Sequence, residues 1–181
     1  LAVPPISKYQ NEGGPTPQQI TELLRGSSSS SRDDVAAFVD ALGFSWIIAG
    51  TDAHAKNYSL LLAAGGQVRL APLYDLASAL PYASLDVQRI HLAMKIGSTY
   101  RVRDIRRRHW RELCRALRID EDETIGRIDA LAEAACEQVG AVGARMVEEG
   151  LDADVVGRLV ELIGGRARAC RKLLADPLPK E

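Results

Sequence analysis

The stretch Gly50–Asp75, GTDAHAKNYSLLLAAGGQVRLAPLYD, limits what this chain can fold into more than any other. Its apolar runs Tyr58–Ala63 and Gln67–Ala71 are too short for helices, and Gly65-Gly66 between them reads as the turn of a tight β-hairpin. Pro72 cannot donate to a ladder and ends the second strand. Asp52, His54, Lys56 and Asn57 stand just before the hairpin, and Asp75 stands just after it. The scaffold must therefore hold a polar loop on one side of two short strands and a carboxylate on the other.

That scaffold reads as helical. From Asp33, residues Val35, Phe38, Val39, Leu42 and Trp46 recur at helical spacing and predict a buried helix of about four turns. Around Phe44–Ala49 it is apolar enough to be core on several sides, and its end delivers the chain to Gly50. Upstream, residues 1–15 carry Pro4, Pro5, Gly13, Gly14 and Pro15 and predict an irregular segment. Thr16-Pro17-Gln18-Gln19 supplies a capping hydroxyl, a proline at the first helical position and a glutamine three residues after the cap. The short helix it opens, with Ile20, Leu23 and Leu24 on one face, stops near Gly26. Ser27–Ser31 offers nothing to bury and reads as a mobile surface loop.

Downstream, Gln88–Ile96 alternates, with Ile90, Leu92, Met94 and Ile96 on one side and His91, Ala93 and Lys95 on the other, which predicts a half-buried strand. Val102–Leu117 reads as a helix with Ile105, Trp110, Leu113 and Leu117 on its apolar face. Glu121–Glu148 and Asp154–Leu174 read as two more, ended by Gly150 and Pro177. The second of these carries Val155, Leu159, Leu162, Ile163 and Leu173. The expected fold class is mainly α, with a small β insert carrying the polar cluster.

Composition narrows the function classes. The 181 residues suit one good-sized domain, and a net charge of −1 gives no global pull toward nucleic acid or membrane. No run approaches a membrane span, and the first ten residues are not a signal peptide. Cys114, Cys136 and Cys170 are isolated within helical patterns, which excludes a CxxC zinc motif and suits reduced core residues of a cytosolic protein. The basic side is lopsided: of 23 basic residues only Lys8, Lys56, Lys95, Lys172 and Lys180 are lysines. Arg103, Arg106, Arg107, Arg108, Arg111 and Arg115 crowd the Arg101–Arg118 region, either as a solvated face offset by Glu112 and the acids at 120–123 or as a DNA contact.

The loop residues suit phosphoryl transfer. That reaction needs positioning, neutralisation of phosphate charge by Mg²⁺ and a carboxylate near the incoming hydroxyl. Mg²⁺ takes hard oxygen ligands, one or two of them carboxylates. An Asp-x4-Asn loop can aim Asp52 at a substrate hydroxyl and Asn57 at the metal, and Asp75 is placed to complete the shell. The plainer alternative is a polar loop whose side chains cap backbone groups. His91 and His109 lie on other elements, so His54 has no partners for a transition-metal site, and nothing around Ser59 suggests a nucleophile elbow.

The protein-kinase catalytic loop also runs Asp, Asn five residues later, a strand pair and then the metal-binding Asp. More closely, GTDAHAKNYSLLL and LAPLYDLAS, with KYQNEGGP at Lys8–Pro15, LAMKIG at Leu92–Gly97 and Arg108-His109-Trp110, resemble the HipA family of bacterial toxin serine/threonine kinases. The resemblance covers nearly the whole chain up to the helix that carries Trp110 and is weaker beyond it. It implies a protein-kinase-like C-terminal lobe, a helical bundle whose short β-hairpin carries the catalytic loop, spanning 1–181. Within it 1–32 would be the irregular N-terminal segment, short helix and serine loop, 33–100 the catalytic helix, loop and hairpin region, and 101–175 a helical subdomain.

The resemblance further implies ATP and Mg²⁺ as cofactors, with Asp52 as catalytic base, Asn57 and Asp75 as Mg²⁺ ligands, and His54 orienting Asp52 or touching phosphate, as Lys56 also could. Implied partners are a DNA-binding, HipB-like antitoxin and a protein substrate such as an aminoacyl-tRNA synthetase. Tyr74-Asp75-Leu76 departs from the kinase Asp-Phe-Gly by placing its aromatic residue before the Asp. No phosphate-covering glycine loop or VAIK-like lysine strand occurs in the sequence, so the N-terminal nucleotide-gripping lobe is expected to be supplied from outside it, and the chain alone to have little or no kinase activity. Alternatives are the lobe of a small-molecule kinase and a non-catalytic helical binding module with a relic loop.

Overall fold

The computed structural model describes residues 4, 7–82, 86 and 89–175. Five helices and two antiparallel strand pairs follow in order: α1 (Pro17–Ser27), α2 (Ser31–Ile48), β1 (Leu60–Ala63), β2 (Gln67–Leu70), β3 (His91–Ile96), β4 (Thr99–Arg101), α3 (Arg107–Leu117), α4 (Glu121–Glu148) and α5 (Ala153–Ala175). Short 3-10 turns stand at Gln10–Glu12, Ala55–Asn57, Ala64–Gly66 and Val102–Asp104. The fold is mainly α, as its sequence patterning implies.

α2 occupies the middle and packs against α1, β2, β3, α4 and α5. Its carboxyl half is buried on every side through Ser45, Trp46, Ile47, Ile48 and Ala49, which is why no single apolar stripe runs along it. Trp46 and Trp110 are both fully buried and meet edge to face, ring centroids 5.7 Å apart, and Trp46 Nε1 donates to the Val102 carbonyl at 3.2 Å. Gly43 admits Ile128 of α4, since a Cβ there would lie 3.0 Å from the isoleucine side chain.

Local signals explain the ends of α1. Thr16 Oγ1 accepts from the Gln19 amide at 3.2 Å while the Gln19 side chain accepts from the Thr16 amide at 2.9 Å, a complete capping box with Pro17 at the first position. The β1–β2 register, Leu60 opposite Leu70 and Ala63 opposite Gln67, confirms the hairpin, and both turn glycines adopt φ near 75°.

Four expectations need correction. The Ser27–Ser31 run is not a free loop: Ser27 ends α1 and Ser31 begins α2. Ser28 Oγ donates to Asp34 at 2.6 Å, and Ser29 exchanges two hydrogen bonds with the backbone of Val68 on β2. The helix expected from Val102 starts only at Arg107. The intervening residues form β4 and a 3-10 turn, and extended Arg106 begins the helix by donating its amide to His109 Nδ1 at 3.0 Å. Ala93 is buried with the opposite face of its strand, because Gln10 crosses that side and its Oε1 accepts from the Lys95 amide at 2.9 Å. In the first turn of α5 the buried residue is Val156, and Val155 is exposed. The readings that involve Pro5, Gln88 and Pro177 lie outside the described residues.

α4 and α5 form an antiparallel pair joined at Gly150, whose φ is 98°. Their inner turns, with Ile125, Ile128, Ala132, Ala167, Cys170 and Leu174, belong to the core. The outer turns reach past it: there Gly143 packs on Val156 and Val160, while Val142, Val147, Leu151 and Val155 face solvent.

Candidate active site

Both flanks of the polar cluster are fastened to the carboxyl end of α2. Ala49 leaves the helix in the left-handed conformation (φ 53°, ψ 48°), and the Gly50 amide returns to the Ser45 carbonyl at 2.7 Å. From behind Asp75, Ser78 Oγ donates to the Ile48 carbonyl at 2.6 Å and the Ala79 amide to the Ala49 carbonyl at 3.2 Å. Arg166 of α5 donates to the Trp46 carbonyl from Nη2 at 2.5 Å and Nε at 3.1 Å, placing a cation where the helix dipole is negative. Gly50 is tight as well, since a Cβ there would meet the Ala77 carbonyl at 3.2 Å. The approach to Asp52 and the departure from Asp75 thus share one anchor.

Within the loop, the His54 amide donates to the Asp52 carbonyl at 2.8 Å and the Asn57 amide to the His54 carbonyl at 3.0 Å, which winds the 3-10 turn and buries Asn57. Asn57 Nδ2 then donates to Asp75 Oδ2 at 2.8 Å. Asp75 has a φ of 57°, a conformation that Asp and Asn tolerate better than other side chains. The preceding Tyr74 folds back: its hydroxyl donates to the Lys56 carbonyl at 2.9 Å and lies 2.8 Å from Ser59 Oγ. Tyr74 thus ties the segment before Asp75 to the loop before β1, and Ser59 is engaged there and not with His54.

Asp52 is half exposed, and its Oδ1 accepts a short hydrogen bond from the Tyr9 hydroxyl. Lys8 Nζ and His54 Nε2 each lie 3.7 Å from the same oxygen. The His54 ring is buried, stands edge-on to Tyr9 with centroids 5.3 Å apart, and its Nδ1 has no hydrogen-bond partner among the described residues. The hydrogen bond to Asp52, aided by burial, raises the Tyr9 hydroxyl pKa above its ordinary value. Hydrogen bonding with Tyr9 raises that of Lys8, and Asp52 adds to it.

The sequence-predicted residues therefore gather as two adjoining groups, Asn57 with Asp75 and His54 with Asp52. Lys56 stays outside: its exposed ammonium makes no hydrogen bond or ion pair among the described residues. Tyr9 and Lys8 were not singled out individually, and Tyr74 was noted only as the aromatic residue before Asp75. The signal for the first two was the KYQNEGGP segment, whose glycines let the chain double back, with the Gly14 amide on the Tyr9 carbonyl at 2.8 Å. The Asn57 and Asp75 oxygens are hard donors of the kind Mg²⁺ requires, so this pair fits the ion. Among the described residues no cluster of three or more His, Cys, Asp or Glu side chains forms a metal site.

Half of the arginine-rich region is paired with acids: Arg101, Arg103, Arg107 and Arg111. Arg111 makes a bidentate contact with Glu121 at 2.8 Å, Arg107 lies 3.6 Å from Asp122, and Arg101 and Arg103 flank Asp104. No helix among the described residues is long and apolar enough to cross a membrane.

The family of HipA-like C-terminal domains matches residues 1–139. The chain is 32% identical over 171 residues to "Putative kinase Y4mE" of Sinorhizobium fredii, which covers 94% of this chain and 40% of that protein. It is 43% identical over 53 residues to "Putative kinase Y4dM" of the same organism, covering 29% of this chain and 13% of that one. Its fold matches HipA of the Shewanella oneidensis MR-1 toxin–antitoxin system, solved with HipB and operator DNA. That match has a TM-score of 0.80 at 17% identity and covers 95% of this chain and 43% of the other. The chain thus spans two fifths or less of the curated relatives it matches.

Proposed function

This chain belongs to the family of HipA-like C-terminal domains, and on that premise we propose that it is the C-terminal lobe of an ATP- and Mg²⁺-dependent serine/threonine protein kinase of toxin–antitoxin type. The observation that carries this reading is the hydrogen bond from Asn57 to Asp75 with the half-exposed Asp52 carboxylate on the same loop. It joins positions 57 and 75 directly, and the reading takes these as the metal ligands with Asp52 as the base.

In this reading Asn57 and Asp75 hold the Mg²⁺, which when bound neutralises phosphate charge. Asp52 accepts the proton of the incoming serine or threonine hydroxyl. His54 supports Asp52, and exposed Lys56 is free to meet a phosphate. In this reading the lobe that grips ATP lies outside the 181 residues, which alone would transfer little or no phosphate. The partners, in this reading, are a DNA-binding antitoxin and a protein substrate of translation such as an aminoacyl-tRNA synthetase, in the cytoplasm. Arg106, Arg108, Arg115 and Arg118, which have no acidic partner among the described residues, are the members of the arginine-rich region left to touch DNA in this reading.

The test is phosphate incorporation from labelled ATP in the complete two-lobed protein. The wild type should label itself or its target in a Mg²⁺-dependent way, and Asp52→Asn and Asp75→Asn should each abolish labelling. Undiminished labelling in both variants would overturn the assignment.

A further inference from the structure

Three groups converge on one oxygen of Asp52. The Tyr9 hydroxyl donates to Oδ1, and Lys8 Nζ and His54 Nε2 stand 3.7 Å from that atom, while Oδ2 takes no hydrogen bond from any described residue. Burial does not orient this carboxylate, whose side chain is 56% exposed. Tyr9, by contrast, is firmly placed. Its carbonyl accepts from the Glu12 amide at 3.0 Å and the Gly14 amide at 2.8 Å, and a Cβ at Gly14 would come within 2.7 Å of it. Gln10, its neighbour, is anchored to β3 through the Lys95 amide, and the Tyr9 ring leans edge-on against buried His54. A rigid turn therefore presents one hydroxyl to one oxygen of a mobile type of side chain.

We propose that Tyr9 is a positioning residue for Asp52, tying Oδ1 down so that Oδ2 is the oxygen offered to the acceptor hydroxyl, with Lys8 setting its charge beside the tethered oxygen. This rests on the reading of Asp52 as the base. In the step so arranged, the acceptor oxygen bonds to phosphorus, its proton passes to Oδ2, and the bond to the nucleoside diphosphate breaks with its electron pair leaving on the diphosphate. A phenol suits the task because it has a single proton to give and a planar ring that packing can hold, whereas Lys8 carries its charge on a flexible stem. The competing role for the same contact is a block, in which the Tyr9 hydroxyl fills the acceptor's own place.

Two measurements decide. In the complete two-lobed protein, Tyr9→Phe should lower kcat about tenfold or more while KM for ATP stays within about twofold, the split expected for a residue that orients a base without touching nucleotide. In the 181-residue chain labelled with ¹³Cζ-tyrosine, the resonance lost in Tyr9→Phe should titrate above ordinary tyrosine, and Asp52→Asn should move that titration down toward the ordinary value. The groups facing this phenol are Lys8, Asp52 and His54. A kcat unchanged or raised by Tyr9→Phe, or a Tyr9 titration indifferent to Asp52→Asn, overturns the proposal. Wild-type labelling by Asp52→Asn would instead remove the base assignment beneath it. Loss of labelling in Asp52→Asn beside wild-type behaviour in Tyr9→Phe would remove only the role of Tyr9.

Discussion

Asp34 in the first turn of α2 and Arg69 of β2 form a bidentate pair, Arg69 Nη2 to Oδ1 at 2.9 Å and Nε to the two oxygens at 3.1 and 3.2 Å. The carboxylate is buried and also accepts from Ser28 Oγ at 2.6 Å and the Leu70 amide at 2.7 Å. It is the clasp between the helix that leads into the Gly50–Asn57 loop and the hairpin that follows that loop. Asp34→Ala strands three donors, one charged, and should cost about 3 kcal/mol in urea unfolding.

The same carboxylate predicts an acid dependence. Burial pushes the Asp34 pKa up, but hydrogen bonds from Arg69, Ser28 and the Leu70 amide outweigh it, leaving the group below its ordinary range. For a depressed carboxylate the stabilisation is complete above the unfolded-state value and disappears as pH falls through the folded one. Wild-type stability should therefore drop below about pH 4, and Asp34→Asn should show a shallower drop over that window in unfolding followed by circular dichroism.

Asp75→Asn should separate chemistry from folding. Asn tolerates the left-handed backbone that Asp75 adopts, so the melting temperature should stay within about 2 °C. With Asp75 as the proposed Mg²⁺ ligand, phosphorylation by the complete protein should nonetheless fall about a hundredfold or more, because that charge is gone. Asp75→Ala should lose activity and about 1 kcal/mol of stability besides.

The two buried indoles should respond unequally to phenylalanine. Trp46 Nε1 has the Val102 carbonyl as partner, whereas Trp110 Nε1 has no partner among the described residues. Trp46→Phe leaves an acceptor stranded in the core, and Trp110→Phe removes an unsatisfied donor. Trp46→Phe should be the costlier by about 1–2 kcal/mol in urea titrations, with the remaining tryptophan as the fluorescent probe.

A fragment of residues 1–139, the span matched by the family, should not fold cooperatively. Position 139 falls inside α4, and the cut removes Ala167, Cys170 and Leu174 from the core together with the Arg166 cap on α2. Loss of a sigmoidal urea transition relative to the 181-residue chain is the expected result.

The helices were legible because apolar spacing over many turns leaves little choice: α4 runs from Glu121 to Glu148 as its periodicity indicates, and α1 begins where Thr16 and Gln19 signal it. The β1–β2 hairpin was legible from Gly65-Gly66. What escaped was decided at long range. β4 is three residues paired across a bulge, too short for any pattern, and the serine run owes its order to Asp34 and to the Val68 backbone across the fold. Positions 52, 57 and 75 stood out as polar residues around a hairpin, and Asn57 and Asp75 do meet. Tyr9 did not stand out, because its hydroxyl reaches Asp52 across 43 residues of chain.

The outer turns of α4 and α5 pack on each other at Gly143, with Val142, Val147, Leu151 and Val155 in solvent. Breathing of that tip costs only the contacts between two helices, whereas opening the Gly50–Ala79 anchor requires α2, α5 and the backbone behind Asp75 to part together. Amide protons near Gly150 should therefore trade with deuterium long before those of Gly50 and Ala79. The molecule has a tip that can fray and re-form many times over while the surroundings of Asp52 stay shut.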